Sequence, residues 1–265
     1  MVVDCKSNLE KELHVMKLEN KVAVVTGGAR DIGKSISLRL AAEGAKVVIN
    51  YLRNPEGAEQ TLAEVKAAGG EGILVQGDMT QEADVAKLVA ATTEAFGDRI
   101  DILVNVAGGL VARKTLEEMD LAFFESVVKL NLTSTFLMTK AVVPLMTEGA
   151  AIINLASQAG RDGGGPGASA YATSKGAVMT FTRAMAKELG PRNIRVNSLC
   201  PGMISTLFHD TFTKDVVRSN VAQATPLKRE GGPDEVADVV AYLASSEASF
   251  LTGVNLDVNG GLLFS

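Results

Sequence analysis

The chain has 265 residues, 46% hydrophobic and 22% charged, with a formal net charge of -5, which excludes a disordered chain and leaves ample apolar material for one α/β core. The mild acidity and the absence of any Lys/Arg cluster or aromatic-studded basic stripe exclude a dedicated nucleic-acid binder. Two cysteines, Cys5 and Cys200, and two histidines, His14 and His209, supply neither a disulfide framework nor a Cys/His metal site, so no metal is expected.

No uninterrupted apolar stretch reads as long enough to cross a bilayer, and the N-terminus lacks the charged-then-apolar order of a signal peptide, so a cytoplasmic protein without a membrane partner is expected. Residues 1–15 read as a polar N-terminal extension and residues 16–265 as a single domain, with Met16 suited to a natural start.

The elements alternate from the beginning. A β-branched run from Lys21 to Thr26 predicts a buried strand, glycines follow, and a helical pattern runs from Ile32 to Glu43. Strand Lys46 to Tyr51, helix Pro55 to Ala68, strand Gly72 to Gln76, helix Glu82 to Phe96 and strand Ile100 to Val104 come next. The second half keeps the rhythm with a long helix from Leu121 to Met146, strand Ala151 to Leu155, a helix from Ser169 to Leu189 and strand Ile194 to Leu199. An irregular segment from Pro201 to Pro226 precedes a helix over Pro233 to Ala244 and a last strand, Val254 to Val258. Such alternation predicts an α/β fold, a single Rossmann-type doubly wound parallel sheet of about seven strands with helices on both faces.

Thr26-Gly27-Gly28-Ala29-Arg30-Asp31-Ile32-Gly33 lies between the first strand and first helix, where glycines permit a tight turn and let backbone N–H groups approach a diphosphate at a helix N-terminus. Asp78 follows the third strand and either accepts a hydrogen bond from an adenine amine or caps the next helix. Asn105-Val106-Ala107-Gly108 ends the fourth strand and Pro201-Gly202 the sixth, both at the edge where this fold places its ligand crevice. Tyr171 and Lys175 stand four apart on one helix face. A tyrosine active near neutrality needs its pKa lowered by about three units, or about 4 kcal/mol; one positive charge at about 4 Å and an effective dielectric of ~20 supplies that much. Alone, such a pair is commonplace on a helix surface, and its neighbours have to decide.

In combination these motifs resemble the short-chain dehydrogenases/reductases, from Lys17 to Gly261. They comprise the Gly-rich turn, Asp78, Asn105 to Gly108, Asn131 in Lys129-Leu130-Asn131, Ser157, Tyr171-Ala-Thr-Ser-Lys175 and Pro201-Gly202. The resemblance implies a dinucleotide-binding catalytic domain with a tetrad of Asn131, Ser157, Tyr171 and Lys175. Tyr171 would be the general acid and Ser157 would hold the substrate oxygen. Lys175 would lower the Tyr171 pKa and bind the nicotinamide ribose, while Asn131 would keep a water in a proton relay. It implies cofactor contacts from Gly27, Arg30, Asp31, Ile32, Gly33, Tyr51, Arg53, Asp78, Met79, Asn105, Ala107, Gly108, Tyr171, Lys175, Pro201, Gly202 and Ile204. It also implies a homotetramer built through the two long helices. Three positions depart from the pattern: Asp31 replaces the second glycine of the turn, Val106 a second asparagine, and Asn259 an aspartate of the closing motif Val258-Asn259-Gly260-Gly261.

Tyr51 stands where NAD-preferring members carry an acidic residue, and Arg30 and Arg53 flank the place of a 2′-phosphate, so NADP(H) is favoured, with NAD(H) or dual use open. Arg113, Lys114, Arg161, Asp162, His209 and Asp210, with Phe208 and Phe212 between them, predict a mixed lining suited to a small polar ketone or aldehyde, such as a keto-sugar or keto-acid. The alternative is a 3-oxoacyl-[acyl-carrier-protein] reductase, disfavoured because the link Met146-Thr147-Glu148-Gly149 offers no basic patch to an acidic carrier. A dinucleotide-binding regulator without chemistry is a third reading, which a broken tetrad would favour. The Gly-rich run Gly163-Gly164-Gly165-Pro166-Gly167 is read as carrying Ser157 and Tyr171 to one point and bordering the substrate.

Overall fold

A computed structural model describes residues 16–265; the N-terminal extension and His14 and Cys5 lie outside the described residues. Seven strands form one sheet: β1 (Val22–Thr26), β2 (Lys46–Tyr51), β3 (Glu71–Gln76), β4 (Ile102–Asn105), β5 (Ala151–Leu155), β6 (Arg195–Pro201) and β7 (Asn255–Val258). Their order is β3-β2-β1-β4-β5-β6-β7, and every neighbouring pair is parallel. The helices between them are α1 (Asp31–Ala42), α2 (Pro55–Ala67), α3 (Glu82–Phe96), α4 (Leu121–Val128), α5 (Ser134–Val142), α6 (Ala159–Asp162), α7 (Ser169–Leu189), α8 (Leu207–Phe212), α9 (Asp215–Ala224) and α10 (Pro233–Ala244).

Side chains alternate across the sheet because successive residues of a strand point to opposite faces. Ala23, Val25, Val47, Ile49, Ile102, Val104 and Ile153 pack with α1 and α10 residues such as Ile36, Leu40 and Val240. Val24, Val48, Leu103, Ile152 and Val196 pack on the other face with Leu88, Met138 and Leu189 of α3, α5 and α7. β1, β4 and β5 are buried throughout, which accounts for their unbroken apolar runs.

The single helix expected from Leu121 to Met146 is interrupted. α4 passes into a π-helical turn over Lys129–Thr133 before α5, and a 3-10 turn, Val143–Leu145, closes it. The expectation that no segment has membrane-spanning length is also corrected: Leu121–Leu145 is long and apolar enough to cross a membrane, with a mean hydropathy of 1.2 over its most apolar window. Only 33% of that window is buried, although Leu137, Met138 and Val142 seat it in the core.

Candidate active site

The crevice opens at the carboxyl ends of β1 and β4, where the strand order reverses. Thr26 ends β1, and its hydroxyl oxygen accepts from the amides of Val106 and Ala107 at 3.0 and 3.1 Å. The turn after β4 therefore hangs on the end of β1. Gly27, at φ +63°, faces Ala107 so closely that a Cβ would lie 3.2 Å from the Ala107 nitrogen, and a Cβ on Gly33 would fall 2.1 Å from the Gly27 carbonyl oxygen. The Gly27 amide donates to Asn50 Oδ1 at 3.1 Å, while Asn50 Nδ2 donates to the carbonyls of Val75 and Gly77 at 3.2 and 3.0 Å. Asn50 and the Thr26 hydroxyl were passed over by sequence reasoning; the only signal was a polar residue within an apolar strand. Ile32 packs against the core. The result is a backbone-lined cradle at the start of α1, closed to any Cβ at Gly33, and it fits a dinucleotide diphosphate.

Asn131 lies within the π-turn. Its Oδ1 accepts from the Gly109 amide at 3.0 Å, and its Nδ2 donates to the Gly109 and Val127 carbonyls at 2.9 Å each. With both amide hydrogens spent on backbone, the side chain clamps the turn after β4 and has no donor left for the water expected of it. A Cβ on Gly108 would lie 2.6 Å from Asn131 Oδ1 and 3.2 Å from Lys175 Nζ, so the two side chains converge on a position only glycine can hold.

Lys175 is buried, donates to the Leu155 carbonyl at 2.6 Å, and stands with its Nζ 5.8 Å from the Tyr171 ring centroid. Burial pushes its ammonium down to about 8. Burial also raises the Tyr171 phenol above its ordinary value, and a hydrogen bond with Ser157 pulls the other way without winning. Desolvation is thus the larger influence on Tyr171, opposing the lowering expected from Lys175. Ser157 meets Tyr171 because α6 rests directly on α7; a Cβ on Gly160 would lie 2.8 Å from both the Gly176 nitrogen and the Lys175 carbonyl carbon. The run Gly163–Gly167 then turns the chain from α6 into α7 through left-handed positions at Gly163, Gly164 and Gly167. It is held to the loop after β4, since Arg113 donates to the Pro166 carbonyl at 2.9 Å and the Lys114 amide to that of Gly167 at 3.1 Å.

Several expected cofactor contacts are turned elsewhere. Asp31 does not cap α1, whose N-cap is Arg30; its Oδ1 accepts from the Leu207 amide at 3.1 Å, and its Oδ2 lies 3.9 Å from Arg30 Nε. Asp78 does not cap α3, whose N-cap is Gln81; its Oδ1 accepts from the Thr80 amide at 2.9 Å. Its other oxygen has no hydrogen bond among the described residues, which suits an adenine amine. Met79 is buried in the core, and Ile204 is buried against Gly231. Met79 and Ile204 thus offer a ligand only backbone, while the buried Asn105 side chain donates to Asn154 Oδ1 at 2.9 Å and leaves its own Oδ1 unpartnered. Pro201 ends β6 fully buried, and a Cβ on Gly202 would meet Asn259 Cβ at 2.7 Å, so this glycine is required by the closing segment after β7. Tyr51 is half-buried against the core, while Arg30 is exposed and Arg53 is exposed with no hydrogen bond or ion pair among the described residues.

The expected mixed polar lining is corrected as well, because those groups are spent within the protein. Arg161 pairs with Asp257 at 2.7 Å and donates to the Asn255 carbonyl. Asp162 accepts from the Gly164 amide and Gln158. Arg113 donates to the Phe212 and Pro166 carbonyls, and Lys114 lies over the Phe123 ring. Asp210 pairs with Arg218, and His209 Nδ1 lies 3.0 Å from Thr213 Oγ1. What stands over Tyr171 is Phe208, with ring centroids 5.9 Å apart, backed by Phe212 at 5.3 Å. The link Met146 to Gly149 precedes β5 at the amino edge of the sheet, opposite the crevice, so its charge says nothing about the pocket mouth.

The fold and its cradle are those of a dinucleotide-dependent oxidoreductase. A family model described as enoyl-(acyl carrier protein) reductase matches residues 27–263, and the chain belongs to the short-chain dehydrogenase/reductase family. It is 41% identical to a 3-oxoacyl-[acyl-carrier-protein] reductase of Synechocystis sp. over 93% of this chain and 98% of that protein. A short-chain dehydrogenase/reductase from Serratia marcescens superposes with a TM-score of 0.88 at 34% identity, covering 93% of this chain and 99% of that one. A short-chain dehydrogenase from Burkholderia cenocepacia, solved in complex with NADP, gives a TM-score of 0.86 at 33% identity, over 93% and 99% of the two chains.

Proposed function

We propose that the protein reduces a ketone or aldehyde bearing an apolar substituent to the alcohol, with NADP(H) as the favoured cofactor and Tyr171 as general acid. The observation that carries this reading is the Phe208 ring lying over Tyr171, a phenol that burial keeps protonated and so able to donate. Ser157, hydrogen-bonded with Tyr171, holds the carbonyl oxygen, and the Tyr171 proton passes to that oxygen as the carbon is reduced. Lys175, charged below about pH 8, favours the phenolate left behind. Asn131 fixes the turn after β4, which would support the nicotinamide ribose. The cofactor supplies the hydride when bound, and the protein supplies alignment.

Arg30 and Arg53 support NADP(H): both guanidinium groups are exposed, and no carboxylate follows Tyr51 until Glu56, in the first turn of α2. A 3-oxoacyl-[acyl-carrier-protein] reductase is the second reading, favoured by the 41% identity to the Synechocystis protein and by an aromatic cover that also suits an acyl chain. A panel of aryl and alkyl ketones, 3-oxoacyl thioesters and keto-sugars, each with NADPH and NADH, separates the readings. Apolar ketones turned over fastest with NADPH are the expected result. A strong preference for 3-oxoacyl groups on a carrier protein over short thioesters selects the second reading, and keto-sugars as the best substrates contradict both.

The weakly buried face of the Leu121–Leu145 helix, with Phe136 exposed and edge-on to Phe181 of α7, supports assembly into a homotetramer through these helices. Light scattering should then give about four times the 27.7 kDa chain mass; a monomer contradicts it.

A further inference from the structure

Asp31 occupies a position in the dinucleotide turn with φ +48°, a region that favours glycine and that aspartate tolerates better than most residues. Its carboxylate reaches 176 residues along the chain to accept from the Leu207 amide at 3.1 Å. Leu207 opens α8, and Thr206 before it makes no side-chain cap bond, so Asp31 supplies the acceptor that this helix start otherwise lacks. The next residue, Phe208, is the ring over Tyr171, and the far end of α8 is tied by Arg113 donating to the Phe212 carbonyl at 3.0 Å. Neither α8 nor α9 contains a buried residue. The cover over the general acid therefore rests on a few discrete contacts rather than on a core.

We infer that Asp31 is a positioning residue that fastens the substrate cover to the dinucleotide turn, exchanging cofactor affinity for order in α8. Its negative charge stands in the turn where the diphosphate binds and opposes that anion, with Arg30 at 3.9 Å offsetting part of it. Its hydrogen bond holds Phe208 over Tyr171 before a ketone arrives. The inference rests on the proposed reductase reading for its substrate consequence, and on geometry alone for its effect on α8.

Two variants separate charge from hydrogen bond: Asp31→Asn keeps an acceptor oxygen without the charge, and Asp31→Ala removes both. NADPH titration at low salt should show both binding about 3- to 10-fold more tightly than wild type, with the difference shrinking as salt rises. Amide hydrogen exchange at Leu207 to Phe212 should accelerate in Asp31→Ala and stay near wild type in Asp31→Asn. For an apolar ketone, KM should rise about 10-fold in Asp31→Ala with kcat changed less, and Asp31→Asn should restore it. Equal exchange and equal KM in the two variants, or unchanged NADPH affinity in both, would overturn the inference. If no ketone is turned over by wild type while exchange still separates the variants, the reductase reading fails and the fastening of α8 stands.

Discussion

The two walls of the crevice are made in opposite ways. The dinucleotide wall is backbone held by buried groups: Thr26 fastens the turn after β4, Asn50 fastens Gly27, and Gly33 sits where a Cβ would be 2.1 Å from a carbonyl oxygen. The substrate wall, α8 and α9, contributes no buried residue and is tethered by Asp31, Arg113 and the Phe208–Tyr171 contact. A wall made of clearances accepts one ligand shape, whereas a wall made of tethers can be retuned by single side chains. Cofactor binding should therefore be brittle and substrate choice plastic.

Substitution in each wall should break that contrast if it is wrong. The largest effect is expected from Gly33→Ala: NADPH affinity should fall at least about 100-fold by fluorescence titration, since a misplacement of ~1 Å carries a penalty of that order in positioned sites. Phe208→Ala, in the tethered wall, should raise the KM for an apolar ketone about 10-fold and leave NADPH affinity within about twofold. Arg53→Ala should weaken NADPH by about 5- to 10-fold and leave NADH nearly unchanged; equal losses on both would remove the argument for 2′-phosphate recognition.

Two smaller effects concern pH. Lys175 carries its charge below about 8 and loses it above, so the rate of reduction should fall as pH rises through that value, and Lys175→Arg should move the fall to higher pH. Tyr171, held above its ordinary value, adds no limb in the same range. His209, half-buried, is held down to about 4, first by its partial loss of solvation and then by the Arg218 charge. Its unfolded counterpart, ordinarily at about 6.5, takes a proton first on acidification. The contribution of His209 to an ordered α8 is thus complete above about pH 6.5 and is lost as pH falls towards 4. A few-fold rise in ketone KM over that range, flattened by His209→Gln, is the expected outcome.

The dinucleotide wall was the more legible of the two in the sequence. Continuous β-branched runs between glycines located the strands, with β2 and β5 matching residue for residue, while Ser157, Tyr171 and Lys175 stood out only through the family resemblance. The π-turn at Asn131 was not legible, because an apolar pattern with helical spacing does not distinguish one extra residue in a turn. Asn50 and the role of the Thr26 hydroxyl were missed because a lone polar residue in a strand has no local signature. The polar lining was misread for a related reason. Arg113 and Arg161 are engaged by partners 99 and 96 residues away, and only the fold brings those partners near.

The proposed reduction turns on Tyr171 supplying a proton to the carbonyl oxygen beside a bound nicotinamide. The most direct test compares wild type with Tyr171→Phe, following loss of NADPH absorbance with an apolar ketone and measuring NADPH affinity by fluorescence on the same samples. Turnover should fall about 10²- to 10⁴-fold in Tyr171→Phe, with NADPH affinity within about twofold of wild type. Turnover retained in Tyr171→Phe would contradict it.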